Sequence, residues 1–149
     1  MSQSSDKIIS RLSSAADSGE EGGLNSWGGG IKKSWSVRLE NLSASIETDQ
    51  VVPIPGTNTQ VHVEVFTVNG KWTSHVRKDE YAARTRIDKK WGDDKNPYGN
   101  FTVKAKAVDG GITTDTILDV DNYNDEPNRY AMEKASNLIR AILANLTAR

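Results

Sequence analysis

No cysteine occurs in the 149 residues. That absence removes disulfides, thiolate nucleophiles and Cys-based zinc sites, leaves His62 and His75 as the only imidazole ligands, and fits a reducing compartment. Long apolar runs are also missing. Nothing approaches the ~20 residues that a membrane-spanning helix needs, and the opening MSQSSDKIISRLSS holds no signal-like apolar stretch, so neither membrane insertion nor secretion is expected. Net charge is nearly absent, since 19 basic side chains stand against 20 acidic ones. Hydrophobic residues make up only 36% of the chain, which suits one soluble domain with a modest core.

What charge there is lies unevenly. Residues 31–106 carry 13 basic and nine acidic side chains, whereas the segments on either side are acidic on balance. Such a locally basic middle suits a nucleic-acid contact better than the overall charge does. Residues 1–30 hold eight Ser and six Gly, a composition that gains little by ordering and reads as a flexible arm. Within it a short helix from about Asp6 to Ala16 would gather Ile8, Ile9 and Leu12 on one face and would need docking to persist. Residues 31–149 then read as a single α+β domain.

Trp35, Val37 and Leu39 alternate with Ser36, Arg38 and Glu40, and after a phase slip Leu42, Ala44 and Ile46 resume the alternation, as in a bulged strand. Pro53 and Pro55–Gly56 predict a loop. Val61, Val63 and Val65 then predict a strand that ends at a turn at Asn69–Gly70. From Thr73 to Trp91, Val76, Ala83 and Ile87 share one helical face, while Arg77, Lys78, Arg84, Arg86, Lys89 and Lys90 crowd the rest, which predicts a basic amphipathic helix ended by Gly92. Phe101, Val103, Ala105 and Ala107 alternate with Thr102, Lys104 and Lys106 up to the turn Asp109–Gly110–Gly111, and a second strand follows near Ile112–Asp119. Pro127 opens a long helix in which Tyr130, Met132, Ala135, Leu138, Ile139, Ile142, Leu143 and Leu146 recur at helical spacing. The expected fold is α+β, with about four strands in a mixed or antiparallel sheet packed against helices.

Motifs for catalysis are weak. Gly92–Asp93–Asp94 resembles a polymerase aspartate pair, but no polymerase fits in a chain of this length, and a solvated turn accounts for it. Asp119, Asp121, Asn122, Asn124, Asp125 and Glu126 resemble a calcium loop, yet Tyr123 breaks the ligand pattern and Pro127 follows at once. Acidic residues before a helix are favoured by its dipole, which is the simpler reading. Neither histidine has a ligand partner at metal spacing. No enzyme, metal or cofactor is therefore expected.

Binding features are stronger. Thr102, Lys104 and Lys106 would line one strand face about 6–7 Å apart, a row able to follow a phosphate backbone. A basic helix beside the hairpin would extend that row into a cationic surface suited to A-form RNA, which is recognised largely by shape. Trp27, in a glycine-rich stretch, fits a stacking group or an anchor for a partner.

Several segments together resemble one family. Ser34–Trp35–Ser36–Val37–Arg38–Leu39 is similar to the tryptophan-rich start of a strand in the tombusvirus nineteen-kilodalton suppressors of RNA silencing and their aureusvirus fourteen-kilodalton relatives. Gly70–Lys71–Trp72–Thr73, Tyr81–Ala82–Ala83–Arg84 and Gly92 follow in the family's order. Phe101–Thr102–Val103–Lys104 resembles its RNA-contacting strand, and the terminal helix stands at its dimer-forming end. The resemblance implies a viral suppressor acting in the host cell cytoplasm, a homodimer whose continuous sheet cradles small-interfering-RNA duplexes through phosphates and 2′-hydroxyls. Expected RNA contacts are Trp35, Arg38, Lys71, Arg77, Lys78, Arg84, Thr102, Lys104, Lys106 and Thr114, with Trp27 and Trp35 stacking on duplex ends. Leu138, Ile142 and Leu146 would form the dimer interface. Trp27–Gly28 resembles the tryptophan–glycine hooks that engage Argonaute, which leaves a protein-binding module as the alternative, beside a structural viral protein.

Overall fold

The structure is a computed structural model that describes residues 3–24, 30–82, 86–90 and 95–147. Its clearest element is a hairpin of β5 (Tyr98–Val108) and β6 (Gly111–Leu118). Phe101, Val103, Ala105 and Ala107 point inward and are buried, while Lys104 and Lys106 between them are exposed, as period-two alternation requires. The turn at Asp109–Gly110 has φ of 48° and 85° at these two residues, the left-handed pair of a type I′ hairpin.

Two much longer strands cross the molecule beside this hairpin, β2 (Gly30–Pro53) and β3 (Gln60–Ala82). Register shifts between Glu40 and Ser43 and between Ile46 and Thr48 bend β2, because each bulge increases the local twist. The predicted turn at Asn69–Gly70 is a straight stretch of β3 instead. Gly70 is there for close approach: a Cβ at that position would stand 2.5 Å from the Phe101 ring.

Residues 73–82, predicted to be helical, continue β3. Trp72, Ser74 and Val76 turn inward and Thr73, His75 and Arg77 outward. The inward Ser74 breaks the apolar pattern, and it is accommodated because its Oγ donates to the Pro97 carbonyl at 2.9 Å. Ladder pairing with β2 from Gly30↔Tyr81 to Glu40↔Lys71 outweighs whatever helical periodicity the side chains carry. A short β4 (Arg86–Lys90) pairs with the end of β3.

The predicted flexible arm is ordered across residues 3–24. Helix α1 (Gln3–Ser13) buries Ile8 and Leu12 completely, and β1 (Ala16–Leu24) pairs antiparallel with β2. A carboxylate holds the helix, since the Ser5 amide donates to Glu64 Oε1 at 3.2 Å and both residues are wholly buried. An acceptor at the first turn of a helix meets both its orphan amides and its dipole. Gly19 in β1 lies against Trp35, where a Cβ would come within 2.4 Å of the indole.

The sheet runs β1-β2-β3-β5-β6 with β4 off this path, and every pairing is antiparallel. The expectation of about four strands in a mixed or antiparallel sheet is corrected in number, and of its two pairings the antiparallel one is found; the α+β class stands. Helix α2 (Glu126–Thr147) closes the same face as α1 with Ala131, Ala135, Ile139, Leu143 and Leu146. Both helices thus cover one side of the sheet, and among the described residues no element covers the other, the open face.

Candidate nucleic-acid interface

Strand register sorts the expected site residues between the two faces. On the open face Arg38 stands opposite Thr73, Thr67 opposite Lys104, Asn69 opposite Thr102 and Val65 opposite Lys106. Lys71 faces Asn100 on one side and Glu40 on the other, and Ser34 and Ser36 oppose Arg77 and His75. Ser43 and Ser45 extend β2's contribution opposite Asn69 and Thr67. Arg38, Lys71, Arg77, Thr102, Lys104 and Lys106 are therefore brought together on one surface with a row of hydroxyl side chains among them.

Neighbouring strands lie about 4.7–4.9 Å apart and alternate residues about 6–7 Å apart, so these cations form a two-dimensional grid. Lys104 and Lys106 are exposed and take part in no ion pair among the described residues. Thr102 Oγ1 donates to Asn69 Oδ1 at 2.8 Å, and Arg77 Nε bonds the Asp79 carboxylate at 3.0 Å. Glu40 and Asp115 stand directly opposite Lys71 and Lys104, and Glu47 lines one hollow with Lys104 and Lys106. The face so arranged offers ammonium, guanidinium and hydroxyl donors on a paired sheet.

Three expected contacts lie on the covered face and are corrected. Lys78 follows Val76 inward and pairs with Glu126 at 3.3 Å. Thr114 opposes the buried Ala105 and, with Arg140 and Leu143, lines a hollow beside α2. Trp35 packs edge-on against Tyr130 with centroids 6.3 Å apart, under the Lys134 ammonium at 4.2 Å. Its indole nitrogen is buried and finds no partner among the described residues, and a ring so enclosed is out of reach of a duplex end. Burial, with the Glu21 carboxylate beside it, holds the neighbouring Tyr130 phenol well above its usual range. Trp27, Gly28 and Arg84 lie outside the described residues.

The expected dimer residues are also placed differently. Leu146 is buried, and Leu138 and Ile142 are half-buried against the same core. The terminal helix has no spare apolar stripe, because docked α1 and the enlarged sheet use it.

Sequence reasoning missed the contribution of β3 to the open face, namely Thr67, Asn69, Thr73 and His75. Its signal was the polar half of the alternation running through Gly70, concealed by the glycine and by inward Ser74. The stretch resembling a calcium loop leads into α2: Asn122 Nδ2 donates to Asp125 Oδ2 at 2.9 Å, Asn128 Nδ2 donates to the Asp121 carbonyl at 2.8 Å, and the Arg129 amide donates to the Asp125 carbonyl at 3.1 Å. No helix among the described residues is long and apolar enough to cross a membrane. Comparisons with known protein families, with characterised proteins and with solved structures gave no match to this chain.

Proposed function

We propose that this protein binds double-stranded RNA on the open face of its sheet and works by sequestering it, without catalysis. The observation that carries the reading is the gathering of Arg38, Lys71, Thr102, Lys104 and Lys106 on one uncovered surface. A-form RNA presents a wide, shallow minor groove with phosphates and 2′-hydroxyls at its rims, and sequence-independent binders use contacts of that kind. Small-interfering-RNA duplexes in the cytoplasm of a virus-infected host cell are the substrate that the family resemblance suggests.

Homodimerisation belongs to the same proposal and is best supported by β6. That strand ends the sheet, carries one charge, Asp115, and leaves Ile117 exposed, features that favour edge pairing. A groove of about 600 Å³ runs between β6 and α2, lined in part by Thr116, Leu118, Glu133 and Arg140. Glu133 and Arg140 are both exposed and seven residues apart on one helix flank. An antiparallel two-fold contact would set Glu133 of one copy opposite Arg140 of the other.

The test is a gel shift with a 21-base-pair RNA duplex, the equivalent DNA duplex and single-stranded RNA, using the full chain and Lys104→Ala/Lys106→Ala. Preference for duplex RNA, weakened in the double variant, is expected. Equal binding of RNA and DNA duplexes would overturn recognition of the A-form duplex, and undiminished binding by the variant would overturn the assignment of the face.

A further inference from the structure

Among the described side chains of the open face, one tyrosine, tryptophan or phenylalanine ring is exposed: Tyr98, 53% accessible, the first residue of β5 and opposite Thr73. Its backbone is fixed on both sides. The amide and hydroxyl of Ser74 donate to the Pro97 carbonyl at 3.1 and 2.9 Å. At Gly99 the chain passes so close to Asp119 that a Cβ would stand 1.9 Å from its carbonyl oxygen. The Lys71 ammonium lies 5.0 Å from the centre of the ring, and the Tyr98 hydroxyl has no partner among the described residues. An aromatic ring is thus held in place among donors, with its hydroxyl unused and a cation beside it.

From this geometry we infer that Tyr98 is a specificity-determining residue, which reads ribose on the RNA duplex while Lys71 takes the adjoining phosphate. The inference rests on the duplex-RNA reading above and names a residue that does the discriminating. A phosphate oxygen only accepts hydrogen bonds, so lysines cannot tell RNA from DNA. A phenol both donates and accepts, as does a 2′-hydroxyl. Stacking on a duplex end is the other use of an exposed ring. Tyr98 is poorly placed for it, because open-face positions continue along β3 on both sides of Thr73, from Val65 to Arg77. Along the strand direction the ring therefore stands short of the end of the face, at its β5 border, where β6 no longer pairs.

The experiment compares wild type, Tyr98→Phe and Tyr98→Ala by fluorescence anisotropy on three 21-base-pair probes. These are an RNA duplex, a 2′-fluoro duplex that keeps the A-form shape but cannot donate from the 2′ position, and an RNA duplex closed by loops at both ends. Loss of one net hydrogen bond per protomer, two in the dimer, predicts that Tyr98→Phe binds the RNA duplex about 5–150-fold more weakly. It should match wild type on the 2′-fluoro duplex, and the deficit should persist on the closed duplex. Tyr98→Ala should lose more on all three probes. Equal RNA affinity of Tyr98→Phe and wild type overturns the inference while leaving the duplex-RNA reading intact. A Tyr98→Ala deficit confined to open-ended duplexes overturns it in favour of end stacking. Failure of wild type to bind any duplex removes both readings.

Discussion

Salt dependence offers the sharpest measure of the cationic grid. Each phosphate neutralised by a lysine releases condensed counterions, so log K falls against log salt with a slope of about 0.9 per contact, on the coefficient for duplex DNA. Lys104 and Lys106 sit one alternation apart on β5, exposed and outside any ion pair among the described residues. A dimer therefore has four such lysines. Replacing both by alanine should flatten the slope by about 3.6. Between 50 and 200 mM salt, that difference means the wild type loses about 150-fold more affinity than the variant. Fluorescence anisotropy with a 21-base-pair RNA duplex at several salt concentrations measures both slopes directly. Neither lysine contributes to the core, so thermal melting of the variant should match wild type. Parallel lines for the two proteins, whatever their absolute affinities, would refute the claim that these ammonium groups meet phosphate.

Asp115→Asn acts in the opposite sense: removing the carboxylate opposite Lys104 in both protomers should tighten duplex binding by up to about 30-fold, the upper range for two exposed charge pairs, and weaker binding would count against a phosphate at that position. Gly70→Ala should lower stability by about 1–3 kcal/mol through the clash with Phe101, read as a fall in melting temperature that Gly70→Ala/Phe101→Leu largely restores; an unshifted melt would contradict the packing. Glu133→Arg should weaken dimerisation in light scattering and Glu133→Arg/Arg140→Glu should restore it, whereas no change in either excludes the α2 flank as the seam. The Asp49 carboxylate, bonded to His62, raises the His62 pKa, so the pair's contribution to stability is complete below about 6.5, the unperturbed histidine value, and is lost as pH rises through the raised one. An NMR titration should place the His62 midpoint above 6.5 and closer to it in Asp49→Asn; a wild-type midpoint at or below 6.5 would disprove the pairing.

How far the fold was legible depended on whether each strand advertised its alternation. The β5–β6 hairpin did, with unbroken apolar positions from Phe101 to Ala107 and an Asp–Gly turn, although β5 begins three residues earlier, at Tyr98, than that alternation shows. The long helix from Pro127 was equally clear. β3 was concealed by two residues that obey packing in place of pattern: Gly70, which reads as a turn but lies under Phe101, and Ser74, polar yet buried because Pro97 accepts its bond. Val76, Ala83 and Ile87 then imitated a helical stripe. The stretch ADSGEEGGL gave no signal at all, since β1 is held by backbone pairing and by the fit of Gly19 against Trp35. Of the candidate site, the Thr102–Lys104–Lys106 row was visible in one strand. Its assembly with Arg38 and Lys71 depends on a register that only the folded sheet reveals, and the same register sends Lys78 and Thr114 to the covered face.

Assigning both helices to one face has a consequence for recognition. Ile8 and Leu12 of α1, with Ala135, Ile139 and Leu143 of α2, complete a core against the inward side chains of β2, β3 and β5. Serine, threonine and lysine on the outward side have no part in that core and are free to be chosen for a ligand. The sheet supplies rigidity because β3 and β5 are paired on both sides along much of their length, so the donors stand in place in advance and, on the duplex-RNA proposal, little ordering entropy would oppose binding. Such a surface recognises the repeat of a backbone more readily than any one base. Discrimination then falls to groups able to sense the sugar, which is why Tyr98, fixed between Pro97 and Gly99 with its hydroxyl unengaged, is the residue on which a preference for RNA over DNA would turn.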